Sequence, residues 1–205
     1  MQPSGPQTFL ESALAYDRRG WSVIPIKHKS PKGKEPACRW SRYQSERPTQ
    51  ATLGRWFSNG KLDGLAVILG PVSGNLVCRD FDELDAYDRW ADEHPDLATT
   101  LPTVETARGR HVYATAATDR ILQLQDGEVR GGGYCLLPPS RHPTGAEYRW
   151  LVPLPEGPLP EIDPVAAGWV ADVTESTETT ETTEHIEHIE AMVGGGAPFT
   201  QSRTQ

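Results

Sequence analysis

Two carboxylates one residue apart, Asp80 and Asp82, follow an apolar run at 76–78 and flank a single aromatic, Phe81. At a strand end, side chains alternate between faces, so the two acids project together while Phe81 points the other way, toward a core. Like charges on one face repel unless a cation lies between them. Hard divalent cations such as Mg²⁺ take oxygen ligands of this kind, commonly one or two carboxylates with substrate phosphates. Glu128 is a third acid at a strand position. A second group is basic. His111 opens a strand beside the turn Ala-Arg-Gly-Arg, which contains Arg108 and Arg110, and Lys27, Lys29, Lys32 and Lys34 lie on a loop punctuated by Gly and Pro. Such groups suit phosphate. Each feature also has a plainer reading. The acids fit a solvated turn, the more so because Asp82, Glu83 and Asp85 begin a helix, where negative charge suits the dipole. The lysines fit a solvated loop, and a lone histidine fits a cap or a core position.

The elements that must position these groups follow from periodicity. Residues 7–19 carry Phe9, Leu10, Ala13, Leu14 and Tyr16 at helical spacing, with Gly20 placed to end the helix. A short strand follows at 21–26, its Pro25 suggesting an edge or a strand end. Residues 38–44 and 49–57 read as helices, the second capped by Thr49. The apolar runs 65–69 and 76–78 flank Gly-Pro-Val-Ser-Gly-Asn and predict a hairpin with a long loop. A helix over 84–93 is closed by His94-Pro95. Strands are predicted at 103–106 and 111–114, on both sides of the triple glycine 131–133, and at 148–151, and 121–124 is a further short apolar run. The triple glycine lets backbone approach a ligand closely. Neither a P-loop nor a GxGxxG fingerprint is present.

The chain of 205 residues has a net charge of −8. Seven acids and one Arg fall in 171–205, whereas 18–61 holds 11 Lys and Arg against Glu35 and Glu46. The basic first quarter fits a polyanion such as a nucleotide or nucleic acid, and equally a solvated face. The division expected is a domain at 1–165 and a Thr/Glu-rich, mostly disordered acidic tail at 166–205. Within that tail, His185 and His188 are spaced for one face of a helix but lack further ligands. Cys38, Cys78 and Cys135 are far apart in sequence and read as free thiols rather than a zinc cluster. No membrane-length apolar stretch and no export signal is evident, so the expected location is cytoplasmic.

Taken in order, these pieces resemble the Prim-Pol domain, the bifunctional DNA primase/polymerase N-terminal domain of the archaeo-eukaryotic primase superfamily. The resemblance runs through residues 13–16 and 19–25, Lys34-Glu35-Pro36 with Trp40, and Trp56-Phe57. It continues through 70–82, Leu101-Pro102-Thr103, Gly109-Arg110-His111-Val112-Tyr113, 128–140 and Tyr148-Arg149-Trp150. It implies an α/β (α+β) fold, an RRM-like antiparallel sheet with an N-terminal α/β unit and the active site between them. It implies that Asp80, Asp82 and Glu128 hold two Mg²⁺ or Mn²⁺ ions, and that His111 contacts an incoming dNTP or NTP. Arg108, Arg110, Lys34 and Arg130 are further candidates for the phosphates. Glu128 stands where the family more often has Asp, and Gly109 supplies no hydroxyl ahead of His111. The implied activity is primase/polymerase nucleotidyl transfer on a single-stranded DNA template and primer, in replication of a plasmid, phage or other mobile element. A helicase or another replication protein is an expected partner. The competing readings are a catalytically weak nucleic-acid-binding replication factor and a metal-dependent nuclease.

Overall fold

The apolar runs become two antiparallel sheets. The structure, a computed structural model, describes residues 8–28, 33–58 and 61–171. The first sheet has the order β2 (Glu35–Pro36), β1 (Ser22–Lys27), β3 (Gly64–Ile68), β9 (Tyr134–Leu137). The second has the order β10 (Arg149–Val152), β5 (Thr103–Glu105), β6 (Arg110–Thr115), β4 (Leu76–Phe81), β8 (Gly127–Arg130), β7 (Ile121–Leu124). Helix α1 (Phe9–Arg18) starts at a capping box of Thr8 and Glu11 and packs with α2 (Gln50–Phe57), itself capped by Thr49. Buried residues of both sheets, among them Ile24, Leu65, Leu76 and Tyr113, share one core. The other face of the second sheet buries Phe81, Val112 and Val129 with Trp90 of α3 (Leu84–Glu93) in a second core. The fold is thus mixed α+β with antiparallel sheets, as expected.

The hairpin at 65–78 is not formed. β3 and β4 lie in different sheets, joined at their ends only by an isolated bridge between Gly70 and Leu76. Both strands are buried along nearly their whole length, so each serves as an inner strand of its own sheet. The link between them is a 3-10 turn over Pro71–Ser73, followed by Gly74 and Asn75 at positive φ, which carries the chain from one layer to the other. The triple glycine makes the second crossing, from β8 to β9. What approaches it closely is the chain's own backbone: a Cβ on Gly131 would lie 2.3 Å from the Thr118 carbonyl oxygen.

Pro25 lies inside β1, between β3 and β2. It is tolerated because β2 is two residues long and pairs only with Ile26 and Lys27. Residues 38–44 yield only a 3-10 turn over Ser41–Gln44. Pro95 ends α3 but also begins a further helix, α4 (Pro95–Thr100), as proline suits a first helical turn. Past Pro164 the chain stays packed: Trp169 is buried, and Trp90 donates its indole N–H to the Ala167 carbonyl. The Thr/Glu segment and the His185/His188 pair lie outside the described residues, as do Lys29 and Lys32.

Candidate active site

The site is built on one cross-strand row. β4 is flanked by β6 and β8, and the register places Asp80 directly opposite His111 on one side and Glu128 on the other. The row continues to Val104 on β5 and Gln123 on β7. Residues far apart in sequence therefore share one face of three adjacent strands, the face turned toward the first sheet. Asp82 lies just past the end of β4, and its side chain is exposed. Lys34, Asp80, Asp82, Thr106, Arg108, His111, His142 and Tyr148 line one small polar cleft.

His111 Nε2 lies 3.3 Å from Asp80 Oδ1, and its Nδ1 is 3.2 Å from the Tyr113 hydroxyl. Burial works to raise the Asp80 pKa, but the neighbouring His111, then Arg130 and Lys34, outweigh it and hold the carboxyl below its ordinary value. Burial likewise opposes the His111 cation, and the Asp80 carboxylate overcomes it, so His111 titrates above its usual range. Around His142, burial and the positive charges of Lys34, His28 and Arg108 push the ring pKa down. Lys34 and Arg108 thus bring positive charge into the same cleft as the acids, as a site for an anionic ligand requires.

Arg130 sits between two of the acids. Its Nε is 3.8 Å from Asp80 Oδ2, and its Nη2 lies against Glu128 Oε2, while Gln123 donates to Glu128 Oε1. Glu128 Oε2 is buried, and its charge contact with Arg130 lacks hydrogen-bond geometry. Arg108 is 3.8 Å from Asp82, both side chains being open to solvent. Lys34 Nζ is 3.4 Å from the Tyr148 hydroxyl, and Tyr134 fixes its segment by donating to the Lys34 carbonyl.

Arg110 is not brought to the cleft. Alternation along β6 turns His111 toward the acids and Arg110 to the other face, where it pairs with Glu105 and lies over Tyr87. His142, Tyr148 and Thr106 join the site although no role in it was read for them from the sequence, and only the folded chain brings them together. The three cysteines are free thiols, as expected, and Cys78 and Cys135 are buried. Cys78 and Cys135 meet across the two sheets beside His111, with ligand atoms within 4.8 Å of one another. Sequence spacing cannot register neighbours on different sheets. Burial raises the Cys78 thiol well above its ordinary pKa.

The donor set fits hard divalent cations. Asp80 is held below its ordinary carboxyl pKa, Glu128 offers a buried oxygen on the same row, and Asp82 adds oxygens at the rim. Gly109 is required where β6 meets the end of β4, since a Cβ there would lie 1.8 Å from the Phe81 carbonyl oxygen. Gly109→Ala is expected to destabilise the protein by about 1–3 kcal/mol, checked by urea unfolding.

An α+β protein with acids, a histidine and a cationic rim gathered at one end of an antiparallel sheet belongs to a class suited to phosphate-bearing ligands and metals. The family model described as bifunctional DNA primase/polymerase, N-terminal (Prim-Pol), matches residues 13–162, and the chain belongs to this family. Among curated proteins none matches the chain. The family is a primase/polymerase one, typically metal-dependent, and implies binding of nucleic acid and nucleotide. No helix among the described residues is long and apolar enough to cross a membrane.

Proposed function

We propose that this chain is a DNA primase/polymerase that transfers nucleotides onto a primer, or onto an initiating nucleotide, on a single-stranded DNA template. The observation that carries the reading is the row His111–Asp80–Glu128 on three adjacent strands, with Asp82 beside it, facing a rim of Lys34, Arg108 and His142. Asp80, Asp82 and Glu128 would hold the divalent cations. Bound Mg²⁺ or Mn²⁺ would stabilise charge on the attacking and leaving oxygens. His111, whose cationic form Asp80 favours, and the cations Lys34 and Arg108 bind and orient the triphosphate. The primer hydroxyl attacks the α-phosphate and pyrophosphate leaves. Replication of a mobile element, with a helicase or similar partner, is the setting this chemistry suits.

One observation favours a second reading. Arg130 already fills the space between Asp80 and Glu128, as it would in a catalytically weak nucleic-acid-binding factor. Extension of a labelled primer on single-stranded template, with dNTPs and Mg²⁺ or Mn²⁺, separates the two. Metal-dependent extension that is lost in the Asp80→Ala/Asp82→Ala double variant is expected. Template binding with no extension in either metal would favour the binding factor. Template shortening that the double variant abolishes would point to a nuclease.

A further inference from the structure

Arg79 has no part in the chemistry above, yet its side chain is only 3% exposed. Buried arginines are rare and need partners. Arg79 lies on β4 next to Asp80 but on the opposite face. Its Nη1 donates to the Asp80 carbonyl at 2.8 Å, its Nη2 donates to Asp126 Oδ1 at 2.5 Å, and its guanidinium carbon is 4.0 Å from the Phe81 ring centre. Asp126 belongs to the turn between β7 and β8. Its carbonyl accepts the Asp82 N–H at 3.0 Å. The next residue, Gly127, is packed so tightly that a Cβ would lie 1.9 Å from the Asp80 carbonyl oxygen and 3.1 Å from Arg79 Nη1. Glu128 follows immediately. One guanidinium thus ties the backbone of Asp80 to the turn that holds Asp82 and leads into Glu128.

We infer, on the nucleotidyl-transfer reading above, that Arg79 is a positioning residue: it locks the end of β4 to the β7–β8 turn and so sets the mutual spacing of Asp80, Asp82 and Glu128. Asp82 needs such a lock, because it lies beyond the last ladder pair of β4, Phe81 with Arg110 and Gly127. Stability alone does not account for the residue. Its cross-strand neighbours are Val112 and Val129, which pack in the second core with Phe81. Replacing a buried ion pair with apolar groups of similar volume is often neutral or stabilising. A methionine could fill the space, but it could not hold two oxygens at a set distance.

The test compares the full chain with Arg79→Met, Arg79→Lys and Asp126→Asn. Mn²⁺ binding is read by electron paramagnetic resonance, the Mn²⁺ dependence of primer extension by titration, and template binding by fluorescence anisotropy. Arg79→Met is expected to unfold cooperatively, to bind template as the wild type does, and to bind Mn²⁺ about 10–100-fold more weakly. Arg79→Lys restores one contact and recovers part of that loss, since lysine lacks the planar fork. Should Arg79→Met fail to fold, Arg79→Lys and Asp126→Asn decide, each with a smaller shift in the same direction. Wild-type Mn²⁺ affinity in the folded variants, or equal loss of metal and template binding, overturns the inference and leaves the nucleotidyl-transfer reading standing. A wild-type chain that neither binds Mn²⁺ nor extends a primer overturns both.

Discussion

Replacing Asp80 by asparagine is expected to lower primer extension by about 10³-fold while leaving the fold intact. The side chain keeps its shape, and the β4 ladder to β6 and β8 does not depend on its charge. What is lost is the carboxylate at the centre of the row. The loss has a second signature, at His111. Burial disfavours the imidazolium, and in the native protein Asp80 overcomes that penalty. Without the carboxylate, burial acts almost alone, so the His111 pKa is expected to fall from above its ordinary value to below it. Nuclear magnetic resonance titration of the histidines in metal-free protein reads this directly. Extension within about tenfold of wild type, with the His111 titration unmoved, would remove Asp80 from the centre of the site.

Ser140→Ala is expected to carry the largest stability loss. The Ser140 side chain is fully buried; its Oγ accepts the Leu65 N–H at 2.9 Å and donates to the Leu65 carbonyl at 2.8 Å. Removing the hydroxyl takes one acceptor from the buried Leu65 N–H and one donor from its carbonyl, for a loss of about 2–5 kcal/mol. Gly64 faces Ser140 so closely that a Cβ on it would lie 2.4 Å from the Oγ. The same residue anchors the cleft: its carbonyl accepts the Tyr148 N–H at 2.9 Å, closing the loop that carries His142. Equilibrium unfolding in guanidinium should show a lower midpoint at unchanged slope. A change under about 0.5 kcal/mol would mean that another donor replaces the hydroxyl.

Local signals in the sequence were sufficient for much of this architecture. Thr49 caps the helix it precedes, and α3 spans the residues its period marks. The opposite facing of Asp80 and Phe81 was legible because it depends on strand geometry alone, whereas Asp82 lies past the end of β4. Pairing was not. The runs on either side of Gly70 look like a hairpin, because nothing local records that both will be covered on two faces and placed in separate layers. The choice between Arg110 and His111 as the cleft residue depends on which face of β6 turns inward. Arg79 was hidden for the same reason. It sits in an apolar run beside a conspicuous acid, and its partners, Asp126 and the Asp80 carbonyl, are set by tertiary structure. The Prim-Pol resemblance supplied the order of the site residues, but not how they are joined.

The guanidinium of Arg130 between Asp80 and Glu128 has a consequence for the sequence of assembly. It acts as a resident counter-ion that offsets the repulsion between the two carboxylates. A lone divalent cation entering the row would have to evict that charge into a cleft already ringed by Lys34 and Arg108. A cation arriving with a triphosphate brings a new anionic berth for the displaced guanidinium, and the exchange becomes nearly isocoulombic. On this account the row takes up a divalent cation more tightly together with a triphosphate than alone.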